Sequence, residues 1–421
     1  MLGSESEYVI RPVLSARYMS LPSYVDHAVI VRVLLDQWFP PRFPDIQGIM
    51  RAGDRLDWLI GRAPPTPYLD VIGDVSNSES FKYTSLMLFC QGLILISLRA
   101  IGPSLTRITI AAAVGAALHI GQGNSDLVDQ TAVDFSRAVL SQMEIDGEVI
   151  SCEGPKDNAP AFFKREKVGM GTGPCLDFVV DPVDGTTATS KGGKDVISAL
   201  ACGPRGSLQV LPDDGYYFKI ATGPEAKGRI SMEMSLEAIV QIVAACKDKP
   251  LENFTVIMLD RERHMDILKQ FRKMGVRILL IPDGDIAPAV AACLPDTGVD
   301  LLVGAGAGPE ATIAGTAVRC LGGNMLVKVW KSPKDDADRP KRLEAEGVDV
   351  EKVYTEQELA KGDQLVFAAS GVTRGELLDG VRFISDGAIV HSLCVRMPSG
   401  TIERSTSTLR FRRHPVYERL V

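Results

Sequence analysis

From Leu105 onward, apolar and polar positions recur with two clear periods. Leu105–Ile120 is Ala-rich and reads as a helix. Asn124 or Ser125 is placed to cap a second helix, in which Val128, Ala132, Phe135, Val139 and Met143 fall at helical spacing. Glu148–Cys152 is a short strand, the apolar run Phe178-Val179-Val180 before Asp181 reads as a buried strand, and Val196–Cys202 as another. Pro182 is expected to end the pairing of the middle strand, because it has no N–H to give a ladder.

Beyond these, strand and helix alternate: strands at Phe254–Leu259, Val276–Ile281 and Val299–Val303, helices at Glu262–Met274, Ile286–Leu294 and Glu310–Leu321. Met265, Leu268 and Phe271 are expected on one side of the first of these helices. The alternation predicts βαβ crossovers and a parallel sheet with both faces covered. In such sheets ligands bind outside the carboxyl ends of the strands. Those ends read Asp260-Arg261-Glu262-Arg263-His264, Pro282-Asp283-Gly284-Asp285 and Gly304-Ala305-Gly306-Ala307-Gly308-Pro309-Glu310. Lys331–Lys341, charged and holding two prolines, reads as an exposed loop; Asp363–Ser370 returns to strand character.

Residues 1–103 have a different texture, with Pro-rich pieces at Phe39–Pro44 and Ala63–Pro67 and no catalytic constellation. They are set apart as a segment of unknown fold, with a catalytic domain over 104–421 whose βαβ-rich lobe covers about 235–325. Leu86–Leu98 is apolar but holds Gln91, Gly92 and Ser97. It is shorter than the roughly 20 residues that span a bilayer, so it reads as buried or interfacial, not as an anchor. Glu5 and Glu7 sit where a secretory signal carries basic residues.

Composition, 45% hydrophobic and 24% charged over 421 residues, is that of a globular chain large enough for two or three domains. A net charge of −7 and the lack of a basic patch argue against a nucleic-acid partner. The eight cysteines form no C-x-x-C pair and mostly lie in apolar runs. They read as free thiols of a reducing compartment, which places the protein in the cytoplasm or an organelle stroma or matrix.

The richest stretch is Asp181-Pro182-Val183-Asp184-Gly185-Thr186-Thr187. Two carboxylates three positions apart at a strand end can grip a hard cation; Gly185 admits backbone N–H groups close to an anion and Thr186 adds a hydroxyl. Metal-assisted phosphate hydrolysis needs that set, although an acidic β-turn uses the same residue types. Glu153, after a strand, is a candidate ligand or a solvated end residue. Glu310 is a ligand or a helix N-terminal charge favoured by the macrodipole. Arg261 and Arg263 suit a phosphate or form a surface basic pair; Asp283 and Asp285 accept from sugar hydroxyls or make a turn and an N-cap.

Taken in order, these pieces resemble the class II, bacterial-type fructose-1,6-bisphosphatases, within the wider lithium-sensitive, metal-dependent sugar phosphatases. The resemblance covers about 104–410 and rests on Gly121-Gln122-Gly123-Asn124, Glu153-Gly154 with Asp157–Pro160, Glu166–Gly169 and the Asp-Pro-Val-Asp-Gly-Thr motif. It continues through Gly223–Gly228, Arg263-His264, Ile281–Asp285, Gly308–Glu310, Ser370–Thr373 and Glu376–Gly380. It implies a mixed α/β protein, a layered α/β/α/β/α sandwich with the active site between two lobes. It also implies Mg²⁺ or Mn²⁺, a homo-oligomer, and removal of the 1-phosphate from fructose 1,6-bisphosphate in gluconeogenesis or a sugar-phosphate cycle.

Carried over by position, the metal ligands are Glu153, Asp181, Asp184 and Glu310. Thr186 orients the attacking water with Asp157 as an acidic assistant. Asp184, Gly185, Thr186, Tyr216, Arg261, Glu262, Arg263, Asp283, Gly284 and Asp285 hold the sugar bisphosphate. The chain departs from the pattern at Asn124, where the family has Asp or Glu, and Asp126 is the candidate substitute ligand. Asp184 is commonly Glu, Thr187 stands where Arg is common, and Ile110 replaces a typical Glu. Rival readings are a sedoheptulose 1,7-bisphosphatase, an inositol-phosphate-type phosphatase, and a non-catalytic sensor of sugar phosphates.

Overall fold

The computed structural model describes residues 101–152, 162–212, 215–331, 338–345 and 347–420. All lie in the second of two compact units, Met1–Ser85 and Leu86–Val421. Leu86–Leu98, with most of the 1–103 segment, falls outside the described residues.

Helix α1 occupies 101–117, starting earlier and ending earlier than its Ala-rich pattern predicts. Helix α2, Ser125–Leu140, is capped by Asn124 and buries Val128, Ala132, Phe135 and Val139, as its spacing requires. There follow β1 (Asp146–Cys152), β2 (Glu166–Val168), β3 (Cys175–Asp184), α3 (Thr186–Ser190), β4 (Ile197–Pro204) and β5 (Tyr217–Thr222). Next come α4 (Leu236–Cys246), β6 (Thr255–Leu259), α5 (Met265–Met274), β7 (Arg277–Ile281), α6 (Ile286–Ala291), β8 (Leu301–Gly306), α7 (Gly308–Cys320) and β9 (Asn324–Val329). The chain closes with α8 (Arg339–Ala345), β10 (Val353–Thr355), α9 (Glu356–Leu359), β11 (Val366–Gly371), β12 (Arg382–Ile384), β13 (Gly387–Arg396) and β14 (Thr401–Arg410).

The strands form an eight-stranded sheet in the order β12-β13-β11-β4-β3-β1-β2, with β14 beside β13, and a six-stranded sheet in the order β10-β9-β5-β8-β6-β7. Strand alternation sorts the side chains into separate layers. Phe178 and Val180 of β3 pack with α1 and α2, while Val179 packs with Ile286 of α6 and Ile313 of α7. In the smaller sheet, Ala221 of β5 and Ile257 of β6 meet the same central helices from the other side. Ile220 and Val256 turn away toward α4 and α5. The result is α/β/α/β/α layering with α6 and α7 between the sheets.

Three sequence expectations change. The alternating half is not an all-parallel sheet: β6 pairs in parallel with β7 and β8, but β5 is antiparallel to both β8 and β9. The pattern sees the βαβαβ unit but not the strands that complete its sheet from elsewhere in the chain. Met265 is 38% exposed, and α5 buries Ile267 beside Leu268 and Phe271, because positions three apart drift by about 60° per step around a 3.6-residue helix and carry Met265 off the buried face. Within Lys331–Lys341, residues from Arg339 are helical.

A fourth change bears on function. Pro182 does not end β3; the ladder to β4 shifts register between Asp181 and Asp184 and resumes with Asp184 opposite Ile197. Proline is tolerated there because a bulged residue owes no ladder hydrogen bond. Side chains three apart normally point to opposite faces of a strand. The bulge reverses that parity. Val179 faces the central helices, Val183 packs on the opposite side with α1 and α2, and the Asp184 carboxylate again reaches α6.

Candidate active site

Asp181 and Asp184 thus face the central layer from β3, 1% and 4% exposed. Asp181 Oδ1 accepts the Val183 N–H at 3.0 Å, which holds the bulge. Asp184 Oδ2 accepts the N–H of Ile286 at 2.9 Å, the first residue of α6, so a carboxylate of the large sheet caps a helix that borders the small one. Gly284, at φ +76°, makes the approach possible: a Cβ there would lie 2.8 Å from the Asp184 carbonyl oxygen.

Asp285 occupies the N-cap position of α6 but makes no cap hydrogen bond with its side chain. Its carboxylate turns to Lys219 of β5, with Nζ 2.8 Å from Oδ1 and 2.7 Å from Oδ2. Lys219 is 0% exposed. Gly306 on β8 leaves room for the pair, since a Cβ there would come within 2.0 Å of Asp285 Oδ2. Burial, with Asp285 and Glu310 close by, pushes the Asp184 carboxyl well above the usual carboxylate range, against the pull of the Ile286 N–H and the Lys219 ammonium.

Thr186 opens α3, with Gly185 before it at φ 118°. The Thr186 hydroxyl donates to Asp129 Oδ1 on α2 at 2.7 Å and lies 3.3 Å from the Val183 carbonyl. The segment ahead of α2 is tied to the far end of α3: Gly121 and Gly123 N–H groups donate to the carbonyls of Thr189 and Ser190. Within it Asn124 is exposed, its Oδ1 accepting the Leu127 N–H at 3.0 Å, and Asp126 is an exposed first-turn residue. Thr187 is exposed and Ile110 is buried in the core.

At the carboxyl ends of β6 and β7, Arg261 donates to Asp283 at 2.8 Å. Arg263 lies over the Tyr216 ring, Cζ to centroid 4.2 Å, and donates to the Ala305 carbonyl at 2.8 Å. His264, 1% exposed, donates from Nδ1 to the Leu259 carbonyl, and its Nε2 accepts the Ala305 N–H. That pair of bonds fixes the neutral tautomer. Glu262 is exposed.

Residues 99–409 match the family described as bacterial fructose-1,6-bisphosphatase, glpX-encoded. The chain belongs to that family. It is 36% identical over 319 residues to a class 2 fructose-1,6-bisphosphatase of Haemophilus influenzae, covering 73% of this chain and 96% of the relative. It is 34% identical over 319 residues to fructose-1,6-bisphosphatase 1 class 2 of Escherichia coli K12, covering 73% and 95%.

Bacterial fructose-1,6-bisphosphatases are metal-dependent phosphatases, and the oxygen donors here suit a hard divalent cation. Oδ2 of Asp181 and Oε2 of Glu310 are buried and accept no hydrogen bond, and Asp184 sits where a second charge would relieve crowded carboxylates. Among the described residues no three acidic, His or Cys side chains close on one point tightly enough to hold an ion. Glu153 and Asp157 lie outside the described residues.

Sequence reasoning missed Asp129 and Lys219. Asp129 follows Val128 at the margin of the buried stripe of α2, and its partner is visible only in three dimensions. Lys219 left a trace: a lysine at an inward position between Tyr217 and Ala221.

Proposed function

We propose that this chain hydrolyses the 1-phosphate of fructose 1,6-bisphosphate, giving fructose 6-phosphate and phosphate, with Mg²⁺ or Mn²⁺ held by Asp181, Asp184, Glu310 and Glu153. The observation that carries the reading is the Thr186–Asp129 hydrogen bond placed two residues from Asp184. A carboxylate that receives the hydroxyl proton leaves the Thr186 oxygen lone pairs available to a water molecule. Thr186 therefore orients that water toward the phosphorus, and Asp129 takes up proton density as the O–P bond forms. When bound, a divalent cation held by Asp181, Asp184, Glu310 and Glu153 would supply a lowered pKa for that water and positive charge to offset the leaving oxygen. Asp283 and Asp285 accept hydrogen bonds from the sugar, with Asp285 fixed by its contact with Lys219. Arg263 and Tyr216 bind the far end of the substrate. No covalent nucleophile is required, since phosphoryl transfer needs mainly positioning and charge.

The strand-end carboxylate pair and the threonine–carboxylate contact support a place among the lithium-sensitive sugar phosphatases. The catalytic domain is the 104–421 region. Cysteines that are free in every described position, seven in number, fit a cytoplasmic setting. Among the described residues no helix is long and apolar enough to cross a membrane.

The test is phosphate release by the full chain from fructose 1,6-bisphosphate with Mg²⁺ or Mn²⁺, with the product identified by an isomerase-coupled assay for fructose 6-phosphate. Release that needs metal supports the reading. Release only from sedoheptulose or inositol phosphates reassigns the substrate. Tight binding of the sugar bisphosphate without turnover would make the protein a sensor.

A further inference from the structure

We propose that the free edge of β7 is a dimer interface: a second copy of this chain adds its own β7 antiparallel to the first, across a two-fold axis at Leu279, and joins the two smaller sheets into one.

An edge strand leaves backbone donors and acceptors open to any other strand, and folded proteins shorten, charge or bend such edges to keep them unpaired. Strands β2, β10 and β12 end their sheets with three residues each. β14 is longer, but Glu403, Arg404 and Arg410 are spread along it. β7 has none of these defences. It reads Arg277-Ile278-Leu279-Leu280-Ile281, with one charge, no proline and an unbroken parallel register to β6. Leu280 is 39% exposed, and Ile278 and Leu279 are only half-buried. Leu280 shares its strand face with Ile278, which packs with Ile267, Leu268 and Phe271 of α5. Leu279 turns to the other face, toward Ile281 and Ala289. Met265, at the start of α5, adds another exposed apolar side chain at the carboxyl end of the same sheet.

The hydrogen-bond register selects the occupant. The Arg277 N–H donates to the Phe254 carbonyl and the Ile281 carbonyl accepts the Asp260 N–H, both at 2.8 Å. In a parallel pair alternate residues turn to the same neighbour, so 277, 279 and 281 face β6. The N–H and C=O groups of Ile278 and Leu280 therefore point outward, where no strand lies among the described residues. A two-fold axis at Leu279 sets Ile278 opposite Leu280 of the second copy, and Leu280 opposite its Ile278. Both become hydrogen-bonded pairs, and every outward group finds a partner. Leu279 meets its own copy in the closer, non-hydrogen-bonded position between them. Apolar pairs then line both faces of the junction. The charges agree with this direction. Arg277 stands about 14 Å along the strand from its copy; it lies opposite Ile281 of the second copy, beside the turn that carries Asp283 and Asp285. A parallel copy would set Arg277 against Arg277. Because the same edge is used on both sides, the pairing closes and leaves neither β7 free to recruit a third chain.

The experiment measures the mass of the full chain by sedimentation at micromolar concentration for the wild type, L280K and L280P. A proline at 280 removes an outward N–H and leaves the ladder to β6 intact. The expected result is that both variants halve the mass of the wild-type assembly and keep its far-UV circular dichroism. L279C should form a disulfide-linked dimer on mild oxidation and R277C should not, because only position 279 meets its own copy at a distance a disulfide can bridge. That cross-link carries the test if the variants at 280 do not fold. A monomeric wild type overturns the proposal, and slow hydrogen exchange at the Ile278 and Leu280 amides of that monomer would assign the edge to another segment of the same chain. A mass unchanged in both variants, with no L279C cross-link, also overturns it by placing the assembly contact elsewhere.

Discussion

The Thr186 hydroxyl donates to Asp129 at 2.7 Å across a sequence separation of 57 residues, joining the turn after β3 to the second helix. If this pair orients the attacking water, D129N and T186V lower kcat by about a hundredfold or more with small changes in KM. The double variant loses little beyond either single one, because both remove the same unit. Steady-state kinetics on the three proteins checks this; losses that multiply would mean that the two side chains act separately.

Lys219 and Asp285 form a buried ion pair, and K219M leaves the carboxylate without its counter-charge. Breaking such a pair from one side costs about 3–5 kcal/mol. The urea midpoint of K219M should therefore fall steeply. K219M/D285N should recover part of that stability while remaining poorly active, since Asp285 is also a proposed sugar ligand. A single variant as stable as wild type contradicts the pairing.

His264 is held neutral, and burial, then the nearby Arg263 charge, lowers its pKa below the usual 6.5 against the opposing bond to the Leu259 carbonyl. A base with a depressed folded pKa takes its proton more readily when unfolded. Its contribution is complete above the unfolded value and is lost as pH falls through the folded one. Thermal unfolding from pH 7.5 to 5 should show a falling Tm, with a shallower acid slope in H264Q, whose amide can still donate and accept. Parallel slopes would remove His264 from the acid response.

Asn124 caps α2 through its carboxamide oxygen, and aspartate caps a helix equally well. N124D should keep the wild-type Tm. A chelator should abolish turnover in both proteins, and N124D should need several-fold less Mg²⁺ for half-maximal recovery, because a carboxylate there adds a negative charge for the cation where the amide offers only a neutral oxygen. Identical Mg²⁺ titrations would show that position 124 does not sense the cation.

Much of the architecture was legible because it is local. The helical stripe of α2, the apolar run of β3 and the βαβ pattern around β6 to β8 are set by spacing alone. The antiparallel partners of that pattern were not legible, since β5 and β9 join β8 and each other by long-range pairing that periodicity does not encode. Met265 falls off the buried stripe because three-residue steps drift around a 3.6-residue helix.

The candidate site divides in the same way. Residue type and spacing are enough to name the candidate groups: Asp181, Asp184 and Thr186 in one turn, Arg261 and Arg263 at one strand end, Asp283 and Asp285 at another. These are contiguous motifs, and residue type carries the information. How they meet is set by packing in three dimensions. A bulge at Pro182 turns Asp181 and Asp184 to one face, Asp184 caps α6 from the other sheet, Lys219 neutralises Asp285, and Asp129 reaches Thr186. Each depends on packing two sheets around a shared helical layer. Burial in that layer makes an uncompensated charge costly, so partners distant in sequence are brought into contact.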